Sequence, residues 1–324
     1  MIVNTYFAVD LGATSGRTIL AVYDGQKVEM RELTRFRNPI VPAGGHLFWD
    51  IAGLYEQILL GLKKAADEGV VPDSIGIDTW GCDFAFFGKD GQLLGLPYCY
   101  RDSHTEGAQA LFFERMPAQE VYSRTGIQFM DFNSLFQLDT LRRNGCQALE
   151  YADKVLFIPD ALIYMLTGEA VCEYTVASTS QMLNPMTGDL DEGILKVLGL
   201  PRDKFGRMVQ PGDVVGTISS QVQEFTGLPA VKVVAVAGQA DTIHRVIQQR
   251  RDALAVGYLG VQVLVVPQAD ILTPPGSAGA EGFDRLMGDA CVNGQRFRRE
   301  GRNRAEQHQR KQNGNQADHE EEPP

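Results

Sequence analysis

The run Asp10-Leu-Gly-Ala-Thr-Ser-Gly-Arg17 gathers a carboxylate, two glycines, two hydroxyls and a guanidinium into one short stretch. It has neither the GxxxxGK[ST] of a P-loop nor the GxGxxG of a dinucleotide turn. It still holds the parts of a phosphate clamp. Gly12 and Gly16 let a tight turn expose its amides, Thr14 and Ser15 can donate to phosphate oxygens, Arg17 supplies a cation, and Asp10 at a strand end can hold a hydrated magnesium ion. The plainer alternative is a polar hairpin turn with an ordinary arginine. Metal-ligand spacing is not evident elsewhere: Cys82, Cys99, Cys146, Cys172 and Cys291 are widely separated with no CxxC pair, which suits free thiols in a reducing compartment. His46, His104 and His244 have no partner at ligand spacing and read as surface or loop residues.

The elements that must position the clamp are short apolar runs. Tyr6 to Asp10 and Thr18 to Tyr23 flank it as a hairpin, and Val28 to Phe36 follows an Asp24-Gly25 turn, giving an antiparallel trio. Ile51, Leu54, Tyr55, Ile58, Leu59 and Leu62 recur at spacings of three and four, so 51–66 is expected to be an amphipathic helix covering that sheet. Ser74 to Asp78 and Phe84 to Phe87 are strand-like, and Lys89-Asp90-Gly91 is a turn signal. Further helices are expected over Asp160 to Leu166, stopped at Gly168, and over Asp191 to Leu198, ending at Gly199. Val231 to Ala237 reads as a buried strand delivering the chain to Gly238-Gln-Ala-Asp-Thr242. Strands first and helices laid across them imply an α/β layout with a mixed sheet.

With 324 residues and a hydrophobic share of 44%, the chain can bury a sizeable core. A net charge of -11 argues against a nucleic-acid partner held through a basic surface. No apolar run approaches the roughly 20 residues of a membrane helix, and Met1 to Asp10 lacks the pattern of a secretory signal, so a cytoplasmic protein without membrane partners is expected. From Asn293 to Pro324 the only large apolar residue is Phe297, and this tail is expected to be disordered.

Ala8-Val-Asp-Leu-Gly-Ala-Thr-Ser-Gly-Arg17 closely resembles the first phosphate motif of the FGGY carbohydrate kinases. Ser74-Ile-Gly-Ile-Asp-Thr-Trp-Gly-Cys-Asp83 is similar to the family's second strand pair in the form taken by the subfamily that acts on L-rhamnulose. Leu96-Pro-Tyr-Cys-Tyr-Arg-Asp102, Gly126-Ile-Gln-Phe129 and Phe132-Asn-Ser-Leu-Phe-Gln137 resemble the family's sugar-side segments, and Pro159-Asp-Ala-Leu-Ile-Tyr-Met-Leu-Thr-Gly168 its helix. The resemblance runs from about residue 5 to 238. It implies a ribonuclease H-like fold of the actin and hexokinase type, with ATP, Mg2+ and sugar meeting in a cleft, and a monomer. It places Ala13, Thr14, Ser15, Gly16 and Arg17 on ATP, Gly81 on the sugar and Asp241 as the base, with Thr242 beside it. Physically, a glycine next to Trp80 permits close backbone approach to a polyol while the indole offers an apolar wall. Asp83 and the pair Arg101-Asp102 are further polar candidates for sugar hydroxyls, as are Gln128 and Asn133; a bridge between Arg101 and a carboxylate that merely ties loops is the alternative.

Beyond Thr242 the family pattern fails. The family's second phosphate loop, of Ser-Ser-Gly-Thr-Trp-Ser type, and its adenosine-binding glycines have no counterpart in the sequence. The expected organisation is an N-terminal kinase domain over 1–242, a poorly matching remnant of the second lobe over 243–292, and the tail 293–324. A shifted reading frame near Gln239 would produce this, and weak or absent kinase activity with poor solubility is the expected consequence.

Overall fold

In Asn4–Leu11 (β1) every second side chain, Phe7, Val9 and Leu11, is buried, the period of a strand with one covered face. β1 runs antiparallel to Ser15–Tyr23 (β2), and β2 antiparallel to Val28–Arg37 (β3), so the expected trio is present. The Asp24 carboxylate closes the second turn by accepting from the amides of Gln26 and Lys27 at 2.8 and 2.9 Å. The computed structural model describes residues 4–238 and the strands Ala255–Leu259 and Gln262–Val266, which pair with each other. Asp241, Thr242, His244, Cys291 and the tail 293–324 lie outside the described residues.

The hairpin Ile40–Ala43 (β4) and His46–Trp49 (β5) leads into Ile51–Asp67 (α1), the helix foreseen from its apolar stripe. Asp50 caps it by accepting from the Gly53 amide at 2.9 Å. Ile51, Leu54, Ile58 and Leu62 are buried beneath it. At roughly 1.5–3 kcal/mol for each fully buried aliphatic side chain, this face holds the helix to the sheet. Ser74–Thr79 (β6) then joins β1 in parallel, whereas Phe84–Phe87 (β7) pairs away from the main sheet with Lys154–Phe157 (β8).

Between β7 and β8 lie Ala108–Phe113 (α2), Ala118–Thr125 (α3), Ser134–Arg143 (α4) and Gln147–Tyr151 (α5). Ile158–Thr167 (α6) follows and ends on Gly168 at φ +82°, the C′ glycine expected. Next come Val171–Glu173 (β9), Tyr174–Ser178 (α7), the small pair Leu183–Asn184 (β10) and Asp189–Leu190 (β11), and Glu192–Leu198 (α8), capped by Asp191. Arg207–Val209 (β12), Val214–Thr217 (β13), Ser220–Thr226 (α9) and Lys232–Val234 (β14) complete the sequence up to Gly238. The main sheet has the order β13-β14-β6-β1-β2-β3. Its centre is parallel and both edges are antiparallel, the mixed sheet expected. β14 is shorter than the expected strand over 231–237. Past Val234 the chain bonds to the turn before β13 instead of to β6: the Ala235 amide donates to Asp213 O, and the Gly212 amide to Ala235 O.

Two apolar clusters result. One, with Trp49, Ile58, Leu62, Ile75 and Leu162, fills the space between the sheet, α1 and α6. The other, with Phe112, Phe136, Leu141, Leu198 and Phe205, joins α2, α4 and α8. Among the described residues no helix is long and apolar enough to cross a membrane.

Gly16, expected to loosen the turn, lies buried inside β2 instead, and the bend itself spans 12–14. A Cβ there would stand 2.4 Å from Phe36 Cε2 and 2.6 Å from Leu11 Cδ2. Its glycine is therefore demanded by packing. Gly16→Ala is expected to lower the unfolding free energy by about 1–3 kcal/mol, the usual cost of overpacking, measured by urea denaturation.

Candidate active site

Asp10 sits between two charged neighbours set by strand register. It faces Arg17 across β1 and β2, and Asp78 across β1 and β6. Arg17 Nε donates to Asp10 Oδ2 at 2.8 Å. Because Leu11 lies opposite Thr79, the 12–14 loop and the Trp80-Gly81 turn leave neighbouring parallel strands at one end of the sheet. β14, parallel to β6, leaves at that end too and carries the chain to Gly238. Open α/β sheets bind ligands outside the carboxyl ends of such strands.

The loop is held from behind. The Asn38 amide donates to Thr14 O at 3.0 Å, Asn38 Nδ2 to Gly12 O at 2.9 Å, and the Gly12 amide to Ser15 O at 2.9 Å. The carbonyls of Gly12, Thr14 and Ser15 are thus engaged within the protein, which leaves those acceptors satisfied around the bend. Asp10 and Asp78 offer hard oxygen donors side by side, which suits Mg2+: that ion takes one or two protein carboxylates and completes its shell with water and phosphate oxygens. Among the described residues no group of three or more His, Cys, Asp or Glu could hold a metal alone, so the nucleotide would have to supply ligands.

Around Gly81 several expectations change. Asp83 is fully buried, and its Oδ2 accepts from Trp49 Nε1 at 2.6 Å, Trp80 Nε1 at 2.9 Å and the Tyr100 amide at 3.1 Å. Its Oδ1 accepts from Gln137 Nε2 at 2.9 Å. Asp83 is thus an internal anchor in place of the sugar-facing carboxylate expected. Burial pushes its pKa up to about 6, against the pull of Gln137, the two indoles and the Tyr100 amide. Trp80 is only 6% exposed and packs on Trp49 with ring centroids 4.4 Å apart and the planes tilted by 43°, so it backs the site and offers little open wall. Gly81 is half-buried, and a Cβ there would come within 2.6 Å of Thr179 Oγ1. That close approach explains why the turn carries glycine.

Arg101 is exposed and does not bridge to Asp102; its Nε donates to Tyr100 Oη at 3.2 Å and its guanidinium lies 5.4 Å from the Tyr100 ring centroid. Asp102 instead receives His46 Nδ1 at 3.0 Å and His104 Nδ1 at 2.9 Å on one oxygen, and the Leu47 amide at 2.7 Å on the other. Although burial would raise it, these donors hold the Asp102 carboxyl below its ordinary value. The His104 side chain is therefore buried, within the short turn Ser103–Thr105, so of the surface or loop position expected the surface alternative fails; burial lowers its pKa. Asn133 is also internal, donating to Gln128 O and to Gln181 Oε1 at 2.8 Å. Cys82, Cys99, Cys146 and Cys172 are free thiols, as expected.

Sequence reasoning missed Asp78, Asn38 and Thr179. Asp78 had a usable signal, since it precedes Thr79-Trp80 at a strand end just as Asp10 precedes its own loop. It also missed the buried Glu173, which caps α7 by accepting from the amides of Thr175 and Val176. Burial raises its pKa to about 7, and burial together with the Glu173 charge raises that of Asp160 behind it. Glu173 and Asp83 hold protons in the folded state that the unfolded chain has released above its ordinary carboxylate range, so stability falls as pH rises toward 7. His104, whose pKa burial lowers, works the other way over this range, so the test is differential: the urea midpoint at about pH 7.5 minus that at about pH 5 should be more positive in Glu173→Gln than in the parent.

Known proteins match this chain in sequence and in fold. The N-terminal domain of the FGGY family of carbohydrate kinases matches residues 5–247. A rhamnulokinase of Bacteroides thetaiotaomicron is 50% identical over 299 residues, covering 89% of this chain and 61% of that protein. A rhamnulokinase of Pectobacterium carotovorum is 44% identical over 218 residues, covering 67% of this chain and 44% of that protein. The chain thus spans less than two thirds of the length of either relative. Among solved structures, a gluconate kinase from Lactobacillus acidophilus superposes with a TM-score of 0.66 at 19% identity over 73% of this chain and 48% of its own. A Plasmodium falciparum glycerol kinase with ADP gives 0.61 at 15% identity over 72% of this chain and 48% of its own. The mixed sheet is thereby matched in fold, and the chain belongs to the FGGY family of carbohydrate kinases.

Proposed function

We propose that the chain is the sugar- and phosphate-binding part of an ATP-dependent kinase that phosphorylates L-rhamnulose at O1, giving L-rhamnulose 1-phosphate and ADP. One observation carries the reading: Asp10, flanked by Arg17 and Asp78, stands where the phosphate bend and the Gly81 turn leave adjacent parallel strands. A triphosphate on one strand end and a polyol on the next would meet there. The identity to two rhamnulokinases supports L-rhamnulose over xylulose, fuculose or glycerol.

In this reading Ala13 to Arg17 grip phosphate oxygens. Asp10, with Asp78, faces Mg2+, which when bound would neutralise phosphate charge. Gly81 and Arg101 border the sugar. Asp241 orients and deprotonates the attacking hydroxyl with Thr242 beside it, a contribution of roughly 10²- to 10⁴-fold. The protein works in the cytoplasm as a monomer, with small molecules as its partners.

A second reading, a sugar-binding chain without turnover, is favoured by the lack of a Ser-Ser-Gly-Thr-Trp-Ser type loop anywhere in the sequence. Calorimetry and a coupled assay with L-rhamnulose, ATP and Mg2+ decide. Binding of both ligands with turnover that Asp241→Asn abolishes supports the kinase; sugar binding without nucleotide binding supports the second reading. No binding of L-rhamnulose, with another ketose or polyol bound instead, overturns the choice of substrate.

A further inference from the structure

The main-chain ladder of β14 ends at Val234, yet the backbone at Gly238 is held by a side chain from another element. The Gly238 amide donates to Thr175 Oγ1 at 2.9 Å, and the same hydroxyl donates to Glu173 Oε2 at 2.6 Å. A Cβ on Gly238 would lie 3.6 Å from Val176 Cβ, so the strand exit also packs on α7. Glu173 is itself fixed: its carboxylate takes the Thr175 and Val176 amides, and its amide donates to the Asp160 carboxylate at 3.1 and 3.3 Å. Thr175 is 1% exposed and Glu173 2% exposed, so neither has water as an alternative partner.

The chemistry at this point admits few residue types. An amide needs an acceptor and a carboxylate needs a donor, and one hydroxyl between them serves both. Valine has the shape of threonine but neither function.

We propose that Thr175, oriented by Glu173, is a positioning residue that fixes Gly238 and so sets where the chain goes on leaving β14. Three residues further on stands Asp241, followed by Thr242. The inference rests on the reading that these two meet the sugar. If they do, loosening Gly238 weakens sugar binding although Thr175 touches no ligand.

The test compares Thr175→Val and Thr175→Ser in the full chain by hydrogen exchange and by calorimetry with L-rhamnulose. Thr175→Val is expected to speed exchange at 231–238 about tenfold, to leave 74–79 unchanged, and to weaken L-rhamnulose binding about tenfold. Thr175→Ser should restore both, because it keeps the hydroxyl. Unaltered exchange at 231–238 in Thr175→Val would overturn the inference. So would a rise spread equally over 74–79, or a local rise with undiminished sugar affinity. Should the unsubstituted chain bind no L-rhamnulose, the choice of substrate fails separately, and local exchange alone decides the hook at Gly238.

Discussion

Asp83→Ala is expected to lower the unfolding free energy by about 3–5 kcal/mol, in the range for breaking a buried charged network by removing one partner. The carboxylate is the acceptor for Trp49 Nε1, Trp80 Nε1, the Tyr100 amide and Gln137 Nε2. The two indoles and the Tyr100 amide would be left facing a small cavity, whereas Gln137 Nε2 keeps Phe132 O at 2.8 Å; each buried donor without a partner costs about 1–3 kcal/mol. Relaxation and water entry will recover part of this, so the total stays below the simple sum. Trp49 and Trp80 are the only tryptophans of the chain, so intrinsic fluorescence in a urea titration reports on this network directly. Asp83→Asn keeps one acceptor oxygen and should cost less than Asp83→Ala. A loss under about 1 kcal/mol for the alanine variant would contradict the anchoring role.

Arg17→Ala is expected to weaken Mg-ATP binding by about tenfold to a hundredfold, equivalent to one or two charge-assisted hydrogen bonds to phosphate oxygens. Sugar affinity should be unchanged, since Arg17 lies on the β2 side of Asp10 and Gly81 follows β6 on the other. The substitution also removes the guanidinium that bonds Asp10 Oδ2, leaving the Asp10 and Asp78 carboxylates adjacent without it. Calorimetry with a nonhydrolysable ATP analogue in the presence and absence of magnesium separates the two effects. Loss of affinity in both conditions identifies a direct phosphate contact. Equal affinity of the variant and the parent in both conditions would remove the phosphate clamp from the reading.

The two substitutions act on different links of the same site. Asp83 shapes the frame behind Gly81 through Trp80 and Tyr100, and Arg17 sets the charge beside Asp10 next to the 12–14 bend. The buried Glu173 adds a third link, tying α7 to the end of β14 through Thr175. Each is a polar network placed where main-chain ladders stop. Bonds of that kind hold a strand end in one geometry without filling the ligand space.

What could be read from the sequence was what local periodicity and short-range bonding decide. The trio β1, β2 and β3, the helix α1 with its apolar face and the Gly168 and Gly199 stops all depend on residues close in the chain. The resemblance carried by several short motifs added the family and its substrate class, which residue types alone left open. Tertiary structure decided which polar groups face inward. Asp83 and Trp80 looked like ligand residues because a carboxylate and an indole near a glycine suit a sugar, yet the chain packs both into the interior, where they satisfy each other. His104 looked like a loop residue until Asp102 drew it and His46 onto one oxygen. The pairing of Asp10 with Asp78 and the hook from Thr175 to Gly238 come from strand register and helix packing between distant segments. Such contacts leave no local periodicity in the sequence, because their stabilisation is gained only after the intervening chain has folded.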